Sequence, residues 1–525
     1  MINIFKKIKS LLKRKTQDKY VGIGVCFICF KGRDHKEEVF LPVGFDLDAL
    51  IQKYPPVLYG FKEAGAGKFH KYKIYAFLFH LTSIPARNSD VIEQNGLIRI
   101  HMKTISNHIS DISLYVRYLE QTGVIEVNQQ YIPRKKSRGY KWSAKYEQDD
   151  FEERLVSTGY SEDVAVYKEE ATDIPENPHL FHWYQTGLLE INPHATAYAN
   201  AIKRMKFADK SKASWDWNQD KNCYKYPLIQ CNAVLMNIAK IKLHMYEPHL
   251  DHNIHRLHSV LTNLQKDFRN FLRFDKQTLT NIDIKNCQPY LSCLIFNPDF
   301  WREDSALPLN LYSLPENIQE MFTASPQLLA DINLSLSEAP ADAFSSYIEC
   351  ATAGEFYENL VDIVNQRKGL DKPITRKNAK TLMFNILFSS NKGAHKDRLI
   401  RDMKKYFSRE LYPHVADLFR IIKQKYPEDN GFKSHARLAC LLQAIESHII
   451  LARCCKRIWD EGQETVPVFT IHDSISTLGN HVDFVKKIMQ EELTTCIGYP
   501  PSLDTETWQE DQLKYPNIFQ QIAHQ

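Results

Sequence analysis

The apolar and polar positions of the chain fall into patterns that fix local conformation at several points. In Leu279-Thr280-Asn281-Ile282-Asp283-Ile284 the period of two predicts a strand with Ile282 and Ile284 on one face and Asp283 on the other. Val466-Pro467-Val468-Phe469-Thr470-Ile471 predicts a second strand running into His472-Asp473, with Ser474, Gly479 and Asn480 as turn formers behind it and an amphipathic helix from about Val482. Arg376, Lys380, Phe384 and Phe388 recur every four residues, which on a helix makes one slowly drifting stripe about 18 Å long at ~1.5 Å per residue. Two cations and then two aromatics share that stripe.

The N-terminal part has a different rhythm. Lys103–Ile109 reads as a short helix, and Ser113-Leu114-Tyr115-Val116-Arg117-Tyr118-Leu119 opens a second that stops at Gly123. Val124-Ile125-Glu126-Val127, a turn, and Arg134-Lys135-Lys136-Ser137-Arg138-Gly139-Tyr140-Lys141-Trp142 follow as a hairpin with a basic tip. Two helices with a two-stranded wing resemble a winged-helix module. That resemblance implies groove contact by the second helix, through Arg117 and Tyr115, and phosphate contact by Arg134, Lys135, Lys136 and Arg138. A small protein-interaction domain with a solvated basic loop is the alternative.

These patterns divide the chain. Residues 1–67 read as a basic arm and a strand-bearing subdomain, 68–146 as the winged-helix-like domain, and 147–180 as an acidic linker punctuated by Pro175 and Pro178. Residues 181–270 read as helical, with a basic face around Lys203, Arg204, Lys206, Lys210 and Lys212. Residues 271–525 hold the three patterned segments, with 303–346, rich in Pro, Ser, Leu and Ala, as an insertion.

Composition narrows the class. With 525 residues, 43% hydrophobic and 25% charged, the chain can bury a large core in two or three domains. A net charge of +4 confines any nucleic-acid surface to a local patch. No apolar run approaches the ~20 residues of a membrane span, and the lysine-rich start lacks the apolar core of a signal peptide. Eleven scattered cysteines suit a reducing, cytoplasmic setting, and Cys26-x2-Cys29 has no second pair at zinc spacing. No P-loop and no set of exonuclease acids precedes Asp283.

Two carboxylates on neighbouring strands are what in-line displacement at phosphorus needs, because two divalent cations must be held on rigid oxygen ligands. Cations along a helix can hold a triphosphate, and an aromatic ring beyond them can stack on a base. Each piece alone has a bland reading: a surface turn, a solvated face, a core aromatic. Their conjunction, in order, resembles the family A DNA polymerases and the single-subunit phage-type RNA polymerases, over roughly 257–493.

The resemblance implies an α+β polymerase right hand of palm, fingers and thumb behind the winged-helix domain. It places Asp283, Asp473 and the Ile284 carbonyl on two Mg²⁺ ions, with Mn²⁺ as the alternative. Arg376 and Lys380 take the triphosphate and Lys380 serves as general acid for pyrophosphate. Phe384, Phe388 and Gln288 contact the nucleotide. Gln443, in Leu441-Leu442-Gln443-Ala444-Ile445-Glu446-Ser447, and His472 contact template and primer; Gly354-Glu355-Phe356-Tyr357 precedes the cationic helix. Residues 181–270 serve as thumb or template-binding region.

Departures leave the sugar open. Gln288 stands at the ribose gate, where the DNA enzymes carry Glu and the RNA enzymes Gly, and Phe388 lacks the usual tyrosine hydroxyl; both lean towards deoxynucleotides. Ser474 and the long interval before Arg376 lean towards the RNA enzymes. The expected activity is a DNA polymerase without proofreading, of the kind used in replication by a phage, plasmid or mobile element. Its partners are DNA template, primer and nucleoside triphosphates. A DNA-directed RNA polymerase or primase with an RNA product, template-independent addition, and a replication-initiation or regulatory DNA-binding protein with a silent polymerase fold stand beside it.

Overall fold

A computed structural model describes residues 36–65, 67–106, 109–132, 137–146, 151–157, 177–218, 221–366, 373–392, 397–429 and 433–524. The basic arm, Cys26, Cys29, Arg134, Lys135 and Lys136 lie outside them, as does most of 147–180. The chain mixes helices with antiparallel sheets and buries two apolar clusters, one drawn mostly from 39–151 and the other from the residues that follow.

The first cluster is built on β1 (Lys36–Pro42), α1 (Lys71–Arg87), β2 (Ile98–Arg99), α2 (Met102–Ser106), α3 (Ile112–Gln121), β3 (Ile125–Asn128) and β4 (Gly139–Trp142). Helix α3 buries Ile112, Tyr115, Val116, Tyr118 and Leu119 on one face. It ends where Gly123 turns left-handed at φ +72, letting the Val124 N–H reach the Leu119 carbonyl at 2.9 Å. Strands β2, β4 and β3 then form one antiparallel sheet in that order. Tyr115 belongs to the core and is no groove residue: it is buried, its hydroxyl donating to the Lys68 carbonyl (3.2 Å) and accepting from the His70 N–H (3.0 Å). Arg117, two positions on, points to the opposite, exposed face, and Arg138 is exposed at the start of β4.

Composition predicts a linker where the structure has β5 (Phe151–Ser157), paired antiparallel with β1 from Phe151↔Pro42 to Ser157↔Lys36. Backbone pairing along the whole of β1 outweighs the acidic composition of the segment once a partner edge is available. Phe151 closes over Trp142 with ring centroids 5.6 Å apart.

The second cluster begins with β6 (Leu189–Ile191), α4 (His194–Ala208), the short hairpin strands β7 (Trp217–Asn218) and β8 (Cys223–Tyr224), and α5 (Pro227–Lys242). Helix α5 is buried all round and packs against both α1 and α4. Its Leu228 and Ile229 enter the first cluster and its remaining apolar residues the second, which welds the two together. The expected basic face of this region is partly internal. Lys203 and Lys206 are buried, with Lys206 Nζ 2.7 Å from Asp216 and 2.9 Å from Gln230 Oε1.

Next come β9 (Leu272–Phe274) and β10 (Gln277–Ile284), joined by Asp275 and Lys276, both left-handed as a tight two-residue hairpin requires. Further along lie α6 (Phe356–Gln366), α7 (Arg376–Phe388), α8 (Arg437–Ser447), β11 (Phe469–Ile471), β12 (Ser474–Leu478), α9 (Val482–Ile497) and β13 (Leu503–Thr507). The main sheet runs β11-β12-β10-β9-β6, all antiparallel, with β13 also on β10. Between β10 and α6, residues 303–346 send Leu309, Leu311, Ile318, Phe322, Leu328 and Ile332 fully into the common core. Helix α8 continues through Ser434–Glu461, a 28-residue run long and apolar enough to cross a membrane, but 67% of its most apolar window is buried inside the protein. Its apolar side chains are core. No disulfide joins the described cysteines.

Candidate active site

Strand β10 is central, and Leu279, Ile282 and Ile284 are buried, each worth ~1.5–3 kcal/mol of apolar burial. That burial fixes the register. Asp283 then lies opposite Ser474 on one side and Asp504 on the other. Asp473 comes from the two-residue turn joining β11 to β12, closed by the Ile471↔Ser474 pair. His472 opens the turn at φ +56, a left-handed position that two-residue hairpins demand and His tolerates. Ser474 is not part of the turn: it is the first residue of β12, buried, with Oγ donating to the Ile471 carbonyl at 3.0 Å.

The two acids feel one another. Burial first, then the Asp473 charge, push the Asp283 carboxyl up to about 7, with Asp504 adding and Lys266 and Lys380 opposing. Burial raises Asp473 as well, against a Cys287 hydrogen bond and the charges of Arg256 and Lys380. Two half-enclosed carboxylates without a paired cation repel, and each holds its proton longer.

Helix α7 presents the stripe to this centre. Thr375 caps it by accepting from the Asn378 N–H, and the Asn378 side chain returns the bond to the Thr375 N–H at 2.9 Å. Ala379, Leu382, Met383, Ile386 and Leu387 are buried, which turns Arg376, Lys380 and Phe384 to the open side, with Phe388 half-buried. Arg376 is ion-paired with Glu358 and lies over the Tyr357 ring, 5.4 Å from its centroid. Lys380 Nζ stands 5.7 Å from the Phe384 centroid, and Phe384 and Phe388 are 5.3 Å apart. At 43% exposure Phe384 keeps one face for a ligand.

Below the acids lies a network that sequence reasoning missed. Glu446 on α8 is buried, bound by Arg256 Nη2 at 2.6 Å and by Gln288 Nε2 at 2.7 Å, with Cys287 Sγ 3.8 Å away. Burial lifts Glu446 to about 7 despite Arg256, and Asp473 contributes to the rise. Gln288 is thus engaged through its nitrogen, while its Oε1 is buried with no partner. Gln443, one turn before Glu446, is half-buried on α8. His472 is held down to about 4 by desolvation and then by Arg256, His258 and Arg269, so it is neutral beside the acids although its edge reaches solvent. Arg269 also sees both carboxylates, and Lys266 pairs with Glu506 at 3.0 Å. Arg256 and Arg269 left no local signal, and Glu446 and Tyr357, though inside the segments 441–447 and 354–357, left none for these roles, because each acts through a partner elsewhere in the chain.

A polar cavity of about 290 Å³ opens where Arg87, Asn88 and Ser89 at the end of α1 face Asn237, Lys266 and Arg269. Among the described residues no group of three or more His, Cys, Asp or Glu side chains converges as a metal cage. The hard-oxygen donors at the centre are the Asp283 and Asp473 carboxylates and nearby backbone carbonyls. Such a set fits Mg²⁺, which is bound through one or two carboxylates and fills its remaining positions from substrate phosphates and water.

No family model matches the chain, and no curated protein matches it. Among solved structures, the POL domain of Pol1 from M. smegmatis, in complex with DNA primer-template and dNTP, is similar at a TM-score of 0.30 and 11% identity, over 63% of this chain and 69% of that one.

Proposed function

We propose that the chain is a template-directed nucleotidyltransferase, a DNA polymerase of the right-hand type whose palm is the β10–β12 sheet and whose nucleotide-binding helix is α7. The observation that carries the reading is the meeting of Asp283, on β10, with Asp473, in the turn leading into the adjoining strand β12, with the Lys380 charge acting on both. Mg²⁺, held by the two carboxylates and the Ile284 carbonyl, would polarise the phosphoryl group and stabilise the attacking and leaving oxygens. Lys380 and Arg376 bind the triphosphate as it gains charge, and Lys380 offers a proton to departing pyrophosphate. Tyr357 and Glu358 fix the Arg376 guanidinium, so that it meets phosphate already oriented. Phe384 stacks on the base. Gln288, tied to Glu446, fills the space beside the sugar and favours deoxynucleotides; Gln443 and His472 lie where template and primer pass. The β2-β4-β3 sheet with α3 acts as a winged-helix module, Arg117 and Arg138 reaching DNA.

Extension assays with primed and unprimed templates, each with dNTPs or NTPs, test this. Primer-dependent dNTP incorporation that vanishes in Asp283→Ala and Asp473→Ala is expected. Efficient NTP-only synthesis without primer would make the chain an RNA polymerase or primase. Biological activity surviving both substitutions would make it a DNA-binding protein.

A further inference from the structure

Away from the carboxylates, the stretch from the end of α4 to the start of α5 gathers five aromatic rings in one contact series. Trp217 meets Tyr224 (5.0 Å between centroids), Tyr224 meets Trp215 (6.4 Å), and Trp215 meets both Phe207 (6.3 Å) and Tyr226 (6.0 Å). A short two-stranded hairpin needs a few rings for its own core, and Trp215 serves that purpose, its Nε1 donating to the Lys206 carbonyl at 2.7 Å. The two ends of the series do not. Trp217 is 44% exposed and Phe207 37% exposed.

Cations flank these rings along the chain. Arg204, Lys210 and Lys221 are exposed, and Lys212 Nζ sits 5.0 Å from the Trp215 centroid. The segment is held in place rather than merely draped. Asp209 accepts from the N–H and hydroxyl of both Ser211 and Ser214, which shapes the turn bearing Lys210 and Lys212. Asn218 Nδ2 donates to the carbonyls of Asp90 (2.8 Å) and Ile92 (3.0 Å), and Lys225 Nζ bonds Ser89 Oγ (2.9 Å) and Asp90 (3.0 Å).

Its position connects with the acids. Asp216, next to Trp217, lines a cavity of about 180 Å³ together with Lys206, Lys266 and Lys514. Lys266 also lines the larger polar cavity and is a charge felt by Asp283. Ion-paired lysines, Lys206 and Lys514 with Asp216 and Lys266 with Glu506, thus link the surroundings of the carboxylates to the residue beside Trp217.

We propose that residues 207–218 and 221–226 form a binding platform for single-stranded nucleic acid, with bases stacking on Trp217 and Phe207 and phosphates following Arg204, Lys210, Lys212 and Lys221. Exposed ring faces interleaved with cations are what an unpaired strand needs; a duplex offers no free base faces, and an apolar protein partner gains nothing from the cations. The platform is separate from the nucleotidyl-transfer site and stands or falls apart from it.

The test uses the full chain carrying Asp283→Asn and Asp473→Asn, so that the catalytic centre is silent. Labelled oligodeoxynucleotide and oligoribonucleotide of about 12 nucleotides, and a blunt duplex, are titrated by fluorescence anisotropy. Single strands are expected to bind more tightly than duplex and to quench tryptophan emission. Adding Phe207→Ala and Trp217→Ala should weaken single-strand binding by about 5- to 100-fold at unchanged thermal midpoint, and Trp217→Phe should restore most of it. The DNA and RNA arms identify the preferred strand. Unchanged single-strand affinity in the double-alanine variant, or an equal loss for duplex, overturns the proposal.

Discussion

Replacing Asp283 by Asn should make the protein more stable at neutral to alkaline pH while removing its catalysis. Its carboxyl stands at 3.8 ordinarily and about 7 in the folded chain, raised by burial and then by Asp473. A group raised in this way binds its proton more tightly folded than unfolded. The stability it confers is therefore complete below pH 3.8 and drains away as pH climbs through about 7. At ~1.4 kcal/mol per tenfold change in proton affinity, the loss has a ceiling of roughly 4 kcal/mol. Because Asp473 shares the repulsion and the pair titrates as a unit, about 2 kcal/mol is the expected gain for Asp283→Asn at pH 8. Urea titrations followed by tryptophan fluorescence at pH 5, 6, 7 and 8 measure it. The gain of the variant over the parent should grow across that range. Millimolar Mg²⁺ should then raise the midpoint of the parent and leave the variant where it was, since a cation that binds only the folded acids stabilises by mass action. A gain independent of pH, or a variant less stable than the parent at pH 8, would refute the reasoning.

Four further outcomes are expected. Lys380→Ala should slow single-turnover incorporation by about 10²–10³-fold, as loss of a charge aimed at the developing phosphate does, whereas Phe384→Ala should act chiefly on nucleotide KM. Arg256→Ala leaves Glu446 buried with no cation, only the Gln288 amide and the Cys287 thiol, and should cost ~3–5 kcal/mol in urea titration; combining it with Glu446→Gln should recover much of that. Tyr115→Phe should cost ~1–3 kcal/mol of stability with unaltered DNA affinity, because its hydroxyl bonds only the chain's own backbone. Arg117→Ala should do the reverse, sparing stability and lowering the salt dependence of DNA binding by about one ion.

The sequence alone determined the pieces whose physics is local. The alternation Ile282-Asp283-Ile284 set the acid on the face opposite the two isoleucines, although β10 is buried on both faces from Leu279 to Ile282, and the four-residue spacing from Arg376 to Phe388 defined α7 because a helix gathers those positions. Gly123 ended α3 for an equally local reason, its left-handed φ. Where net charge was the guide, the reading failed. Residues 151–157 join a sheet and Lys203 and Lys206 are internal; Tyr115, a groove residue by the winged-helix resemblance, packs inward too, since a residue's face is chosen by what lies opposite it.

Only the tertiary structure decided the rest. The cross-strand register that sets Asp283 beside Asp473 and Asp504 and the burial that ties Gln288 to Glu446 and Arg256 both depend on pairings between distant segments. Burial and the fields of non-local charges are sums over neighbours, and a chain does not list its neighbours.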